Sequence, residues 1–154
     1  MGKEIEHKYL VINDSFREMA TKSYAIEQGY LSRVKECVVR IRISDCRGFI
    51  TIKGKTIGDS RQEFEYEIPL NDARKLLELC NPPIIKKERY IVPYGEETWE
   101  VDIFAPPLAP LILAEIELLE SRHDYSLPPF VGKEVTDDAK FFNSNLTANI
   151  KSDL

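Results

Sequence analysis

The chain has 154 residues, enough for one domain around a single core, and no second domain is expected. Charged residues make up 31% and the net charge is −5, which argues against a basic nucleic-acid surface while leaving room for local basic clusters. No stretch approaches the roughly 20 apolar residues of a membrane span, and no basic segment followed by an apolar run opens the chain, so a soluble, cytoplasmic protein is expected.

The opening run "EIEHKYLV" puts Glu4, Glu6 and Lys8 on one face of a strand predicted over 2–12, with Ile5, His7 and Tyr9 on the other. Ser15 and Glu18 have the spacing of a capping box and predict a helix over 15–22. Period-2 alternation predicts further strands near 25–34, 37–45, 48–55 and 62–69. "DCRG" at 45–48 reads as the hairpin turn between the second and third of these. A helix is expected from Asn71 or Asp72 through Leu79, followed by strands near 84–93, 97–104 and 112–120, with "YGEE" at 94–97 as a second hairpin turn. Thr136 caps a last predicted helix over 137–145. Pro82-Pro83, Pro106-Pro107 and Pro128-Pro129 mark stiff connections. Cys37, Cys46 and Cys80 are odd in number and widely spaced, which fits reduced thiols.

The charge pattern of the first strand recurs. Arg40 and Arg42 alternate in "RIR", Lys53 and Lys55 in "KGK", Arg61, Glu63, Glu65 and Glu67 in "RQEFEYE", Lys87 and Arg89 in "KER", Glu100 and Asp102 in "EVD", Glu115 and Glu117 in "EIE". For any one pair, the solvated face of an antiparallel sheet is the simplest account. Taken together, bases cluster on some strands and acids on others, with Arg favoured where planar oxyanion recognition matters. The opposite face carries Val39, Ile41, Ile43, Ile50, Ile52, Phe64, Tyr66, Ile68, Val101, Ile103, Ile112, Ala114 and Ile116, a core to be covered by helices. About eight antiparallel strands suffice to close a barrel. A lumen lined by both signs of charge must stay wet and pair its ions with each other, with metal or with a charged ligand. Carboxylates suit Mg²⁺ or Mn²⁺, and Arg and Lys clamp phosphate oxygens, so a metal–polyphosphate complex is the expected ligand.

These residues carry a resemblance. "EIEHK" at 4–8 matches the Glu-x-Glu-x-Lys signature of the CYTH domain, and the match continues in order through "QGYL", "RIR", "TIKG", "RQEFEYEI", "KKERY", "WEVDIF", "AEIEL" and "GKEVTDDAKFFN". The chain thus resembles the bacterial triphosphate tunnel metalloenzymes over essentially its full length. The resemblance implies a mainly antiparallel α+β fold, an eight-stranded closed tunnel barrel with a charged lumen and flanking helices, as one domain over 1–154. It implies that Glu4, Glu6, Glu115 and Glu117 hold a divalent cation, Mg²⁺ or Mn²⁺, and that Lys8, Arg40, Arg42, Lys53 and Arg89 bind the triphosphate. Glu63, Glu65 and Asp102 are further tunnel acids; Arg61, Glu67 and Glu100 are tunnel residues or structural ion-pair partners, and Lys55, after a glycine, is a candidate for lying outside.

Lys87 and Tyr30 are the candidates for acting on the attacking water, because a Lys among other cations has a depressed pKa and a Tyr hydroxyl can orient a water. The competing account makes Lys87 a phosphate contact and Tyr30 a packed ring. His7 lies on the wrong face for the cage, His123 falls in a loop, and Lys140 is either a cover for one tunnel mouth or part of a solvated helix face. The expected activity is metal-dependent hydrolysis of inorganic tripolyphosphate. Nucleoside or thiamine triphosphate hydrolysis, adenylate cyclisation and noncatalytic polyphosphate binding are the alternatives. The expected partner is a small-molecule triphosphate, with no nucleic acid and no membrane, and a homodimer stays open.

Overall fold

The computed structural model describes residues 4–118 and 124–141, Glu4 by its backbone alone. In chain order it has β1 (Glu4–Val11), α1 (Phe16–Met19), β2 (Lys22–Val34), β3 (Cys37–Ser44), β4 (Arg47–Gly54), β5 (Ser60–Arg61), β6 (Glu63–Ile68), α2 (Leu70–Leu79), β7 (Asn81–Tyr94), β8 (Glu97–Phe104), β9 (Ile112–Glu117), β10 (Val131–Glu134) and a 3₁₀ turn over Ala139–Phe141. The eight expected strands are β1 to β4 and β6 to β9. β5 and β10 are short additions, and all pairings between named strands are antiparallel.

Hydrogen bonding follows the order β10-β1-β9-β8-β7-β2-β3-β4-β6. The sheet curls until β5, just before β6, pairs β1 through Glu4↔Arg61 and Ile5↔Ser60. β10 pairs farther along β1, at Tyr9↔Glu134 and Val11↔Val131. Both segments cover the β1 edge that β9 leaves free, so the sheet is a nearly closed barrel. His7, on the outer face of β1, ties the two together: its Nδ1 lies 2.8 Å from Glu134 Oε2 and its Nε2 3.3 Å from Asp59 Oδ2.

Both predicted hairpin turns form. Ser44↔Arg47 and Tyr94↔Glu97 close two-residue loops in which Asp45 (φ 60°) and Gly95 (φ 61°) take the left-handed conformation that such loops require. The Ser15–Glu18 capping box does not. Ser15 already has helical angles and makes no side-chain cap bond. Its N–H instead donates to Asn13 Oδ1 at 3.0 Å, and the helix is only four residues long. Pro82 and Pro83 fall within the first residues of β7, not in a connection. Of the helix expected over 137–145, the described residues contain the 3₁₀ turn; 142–145 lie outside them.

Two apolar clusters lie outside the barrel wall. Tyr9, Val92, Trp99, Val101, Ala114 and Ile116 are covered by Phe16 of α1 and by Phe130. Ile41 is covered by Ala73 and Leu77 of α2, with Ile43, Ile50 and Ile68 packed alongside. This helix sits so close that a Cβ on Gly48 would come within 2.6 Å of Ala73 Cβ. The helix lies over β3, β4 and β2 rather than along β6. Phe64 and Tyr66, expected in the core, are accordingly exposed. Among the described residues no helix is long and apolar enough to cross a membrane.

Candidate active site

Inside the barrel, the strand faces that alternate in charge surround a cavity of about 610 Å³. Arg40, Arg42, Lys53 and Arg89 line it together with Glu6, Glu63, Glu65, Glu100, Glu115 and Glu117. Tyr24, Phe49, Lys22 and Arg47 line its rim near the Asp45–Cys46 turn. Deeper along the same strands the inward positions become apolar. Leu10, Val38, Ile85, Phe104 and Leu113 pack with Tyr30 and with Val135, Leu108, Leu111 and Phe141. The lumen is therefore a charged chamber at one end and an apolar plug at the other, where the sequence pattern suggested charge throughout.

The cations are held in different ways. Arg89 donates from Nε and Nη2 to the two carboxylate oxygens of Asp102, both at 2.8 Å, and from Nη1 to Glu100 Oε2 at 3.3 Å. Arg42 donates from Nε and Nη2 to one amide oxygen, Gln28 Oε1, at 2.9 and 2.6 Å. Arg40 Nη2 donates to Thr51 Oγ1 at 3.2 Å, and Thr51 donates to Glu65 Oε2, itself 3.6 Å from Arg40. Lys53 Nζ lies 3.5 Å from Glu63. Lys8 Nζ sits between Glu6 (3.7 Å) and Glu115 (3.6 Å) and donates to the Phe141 carbonyl. Burial, reinforced by Arg40 and Arg89, lowers the pKa of Arg42.

Lys87 is buried on the inward row of β7 between the chamber and the plug, its Nζ 2.7 Å from Asp102 Oδ2 and 5.3 Å from the centre of the Phe104 ring. Burial pushes its pKa down to about 7, with Asp102 opposing the shift and Arg89 and Arg42 adding to it. Asp102 lies well below the usual carboxylate range: Arg89 and Lys87 outweigh its burial. The ring of Tyr30 belongs to the apolar plug, and its backbone pairs with Arg40 across the β2–β3 hairpin.

Of the four expected cation ligands, Glu6 and Glu115 reach the chamber with Glu117, which pairs across strands with Glu6; the Glu4 side chain lies outside the described residues. Carboxylate oxygens are the donors that hard divalent cations prefer. Glu115 Oε1 is buried without a hydrogen-bond partner, which fits a cation at this end. Among the described residues no three acidic, His or Cys side chains converge tightly enough to hold one as they stand, and Lys8 lies between the acids.

Glu100 is an ion-pair partner of Arg89 on the chamber wall, and Glu67 of Arg47 in an exposed contact. Arg61 donates to the Gly54 carbonyl, and Lys55 is exposed past the end of β4. Lys140 is exposed beside Phe141, and His123 lies outside the described residues. Gln28 and Thr51 escaped the sequence analysis because neither is charged. The signal for Gln28 was its position in "QGYL", in phase with Tyr30 and opposite Arg42 across the β2–β3 pairing.

A family model described as the CYTH domain matches residues 2–145. The inorganic triphosphatase of Acetivibrio thermocellus is 43% identical over 150 residues, 97% of this chain and 96% of that one. The inorganic triphosphatase of Nitrosomonas europaea is 33% identical over 152 residues, 96% of this chain and 98% of that one. A crystal structure of an inorganic triphosphatase superposes with a TM-score of 0.66 at 29% identity, covering 93% of each chain. A curled antiparallel sheet around facing acids and bases is thus accompanied by a family match along nearly the whole chain, and this protein belongs to the CYTH domain family.

Proposed function

We propose that this chain is a divalent-cation-dependent hydrolase that removes the terminal phosphoryl group of a linear triphosphate, inorganic tripolyphosphate first. The observation that carries the proposal is the charged chamber, where Arg40, Arg42, Lys53 and Arg89 face Glu6, Glu115 and Glu117. The similarity to two inorganic triphosphatases over nearly their full lengths supports the same substrate.

Phosphoryl transfer depends mainly on positioning and charge neutralisation. Arg40 and Arg42 are assigned to the phosphate oxygens through N–H donors left over from their protein bonds, with Lys53 and Lys8 adding charge. Arg89 is assigned to the same anion, though three of its five donors already serve Asp102 and Glu100. Glu6, Glu115 and Glu117, with Glu4, are assigned to Mg²⁺ or Mn²⁺, which when bound would supply charge neutralisation of the polyphosphate. Glu63 and Glu65 then keep Lys53 and Arg40 in place.

Lys87 and Tyr30 are assigned to the attacking water. The lowered pKa of Lys87 supports a proton-accepting amine. Its contact with Asp102 supports a different role, a cation that braces Asp102 and through it Arg89. The exposed Cys37 and Cys46 and the buried Cys80 are all free thiols, as suits action in a reducing cytoplasm. The test is phosphate release from tripolyphosphate, ATP, thiamine triphosphate and pyrophosphate, each with Mg²⁺, Mn²⁺ or chelator. Cation-dependent release that favours tripolyphosphate is expected. Binding without release would make the protein a polyphosphate receptor.

A further inference from the structure

The two inward arginines with two-pronged partners differ in the charge of those partners. Arg89 is gripped by Asp102 and touched by Glu100, so its positive charge is neutralised where it stands. Arg42 is gripped just as firmly, through Nε and Nη2, but by an amide. Among the described residues no carboxylate lies within ion-pair distance of Arg42.

The choice of amide is informative because a guanidinium only donates hydrogen bonds, so the atom facing it must be the Gln28 oxygen. One carboxylate oxygen would meet the same two donors with the same geometry and a stronger attraction. The amide also leaves its own Nε2 buried with no acceptor among the described residues. Gln28 is itself fully buried and does not line the chamber, so direct contact with a ligand does not account for it. What the amide provides and the acid does not is a fixed guanidinium with no counter-charge beside it.

Resting on the triphosphatase assignment above, we propose that Gln28 is a positioning residue for that reaction: it orients Arg42 toward the chamber while leaving its charge unneutralised, so that Arg42 is the cation the substrate anion neutralises. Arg40 is an intermediate case: neutral Thr51 accepts its hydrogen bond, while Glu65 lies within ion-pair distance at 3.6 Å. The anion then finds its charge deficit at Arg42, and Arg89 serves mainly to shape the wall.

Gln28→Glu keeps the acceptor oxygen and adds a neutralising charge. Its KM for tripolyphosphate should rise about tenfold or more with a much smaller change in kcat, as expected when uniform anion binding is lost. The ligand-free protein should melt no lower than the parent, because a buried Arg42 gains a counter-charge. The rise in melting temperature on adding tripolyphosphate with chelator, where turnover is absent, should shrink. Gln28→Met removes the acceptor but no charge, so its KM should rise less and its kcat fall more, through loss of orientation. A role in folding alone would lower the melting temperature and leave KM unchanged. Parental KM and a parental tripolyphosphate shift in Gln28→Glu would overturn the proposal. If that variant fails to fold, parental kinetics in Gln28→Met would do so. A parent that neither releases phosphate from tripolyphosphate nor is stabilised by it would instead overturn the triphosphatase assignment.

Discussion

The two ends of the barrel interior are continuous rows on the same strands, yet they obey opposite rules. On β1 the inward row passes from Glu6 and Lys8 to Leu10; on β7 from Arg89 and Lys87 to Ile85; on β9 from Glu117 and Glu115 to Leu113. In the chamber, charges of both signs are held near one another; in the plug, Phe104, Leu113, Ile85 and Val38 bury apolar surface against each other. On the function proposed above, the chamber binds the substrate and the plug closes the barrel behind it. Substitutions should therefore separate cleanly: those in the plug should cost stability, those in the chamber should cost function.

The largest effect is expected in the plug. Phe104→Ala should destabilise the protein by about 3–5 kcal/mol, the usual cost of truncating a buried aromatic side chain, read as a lowered urea midpoint. A loss below 1 kcal/mol would mean that the plug is loosely packed and that the two ends do not differ as described.

In the chamber, Arg42→Ala should lower kcat/KM for tripolyphosphate about 10²–10³-fold, the range for removing one donor to a developing oxyanion. The ligand-free protein should be no less stable than the parent, because burial, with repulsion from Arg40 and Arg89, already disfavours a charged Arg42. A destabilised variant with parental kinetics would place Arg42 with the plug, as a structural residue.

How much of this contrast was legible in the sequence follows from what alternation encodes. Period 2 reports which side of a strand a residue faces, and on that basis Arg40, Arg42, Lys53, Arg89, Glu6 and Glu115 were placed inward, where they line one cavity. Alternation carries no information on depth along the barrel axis or behind the wall. Lys87 has the same parity as Arg89 but lies deeper, sealed beside Asp102 and Phe104, and Tyr30 shares the parity of Gln28 but ends in the plug. Short elements were also lost. β10 has four residues, "VGKE", too few to show a period, and it exists because β1 has a free edge there. The exposed Phe64 and Tyr66 show the converse: their pattern is that of a core, but α2 starts at the end of β6 and packs over β4, β3 and β2, leaving them uncovered.

A smaller effect is expected from the chamber acids. Glu6→Gln removes one negative ligand with little change of shape, and the concentration of Mg²⁺ giving half-maximal phosphate release should rise on the order of tenfold, since affinity follows ligand charge. The melting temperature should stay near the parental value. An unchanged cation requirement would assign Glu6 solely to its contact with Lys8.

The finest cut through the comparison concerns Lys87, which lies between the two regimes: charged like the chamber, buried like the plug. Its pKa is depressed to about 7, chiefly by burial. If the amine accepts a proton from the attacking water, the reactive form is the deprotonated one, so kcat should climb as pH rises through that region and level off above it. If Lys87 instead braces Asp102, the useful form is the cation, and kcat should fall over the same interval as the charge is lost and Arg89 loosens. Lys87→Arg keeps the charge at every accessible pH and cannot act as a base. It should abolish the rising limb in the first case, and in the second it should retain near-parental turnover while removing the fall at high pH. Tyr30→Phe should lower kcat less than Lys87→Arg in the first case, because it removes only an orienting hydroxyl. In the second case it should leave the pH profile of the parent unchanged, since the Tyr30 ring still fills the plug.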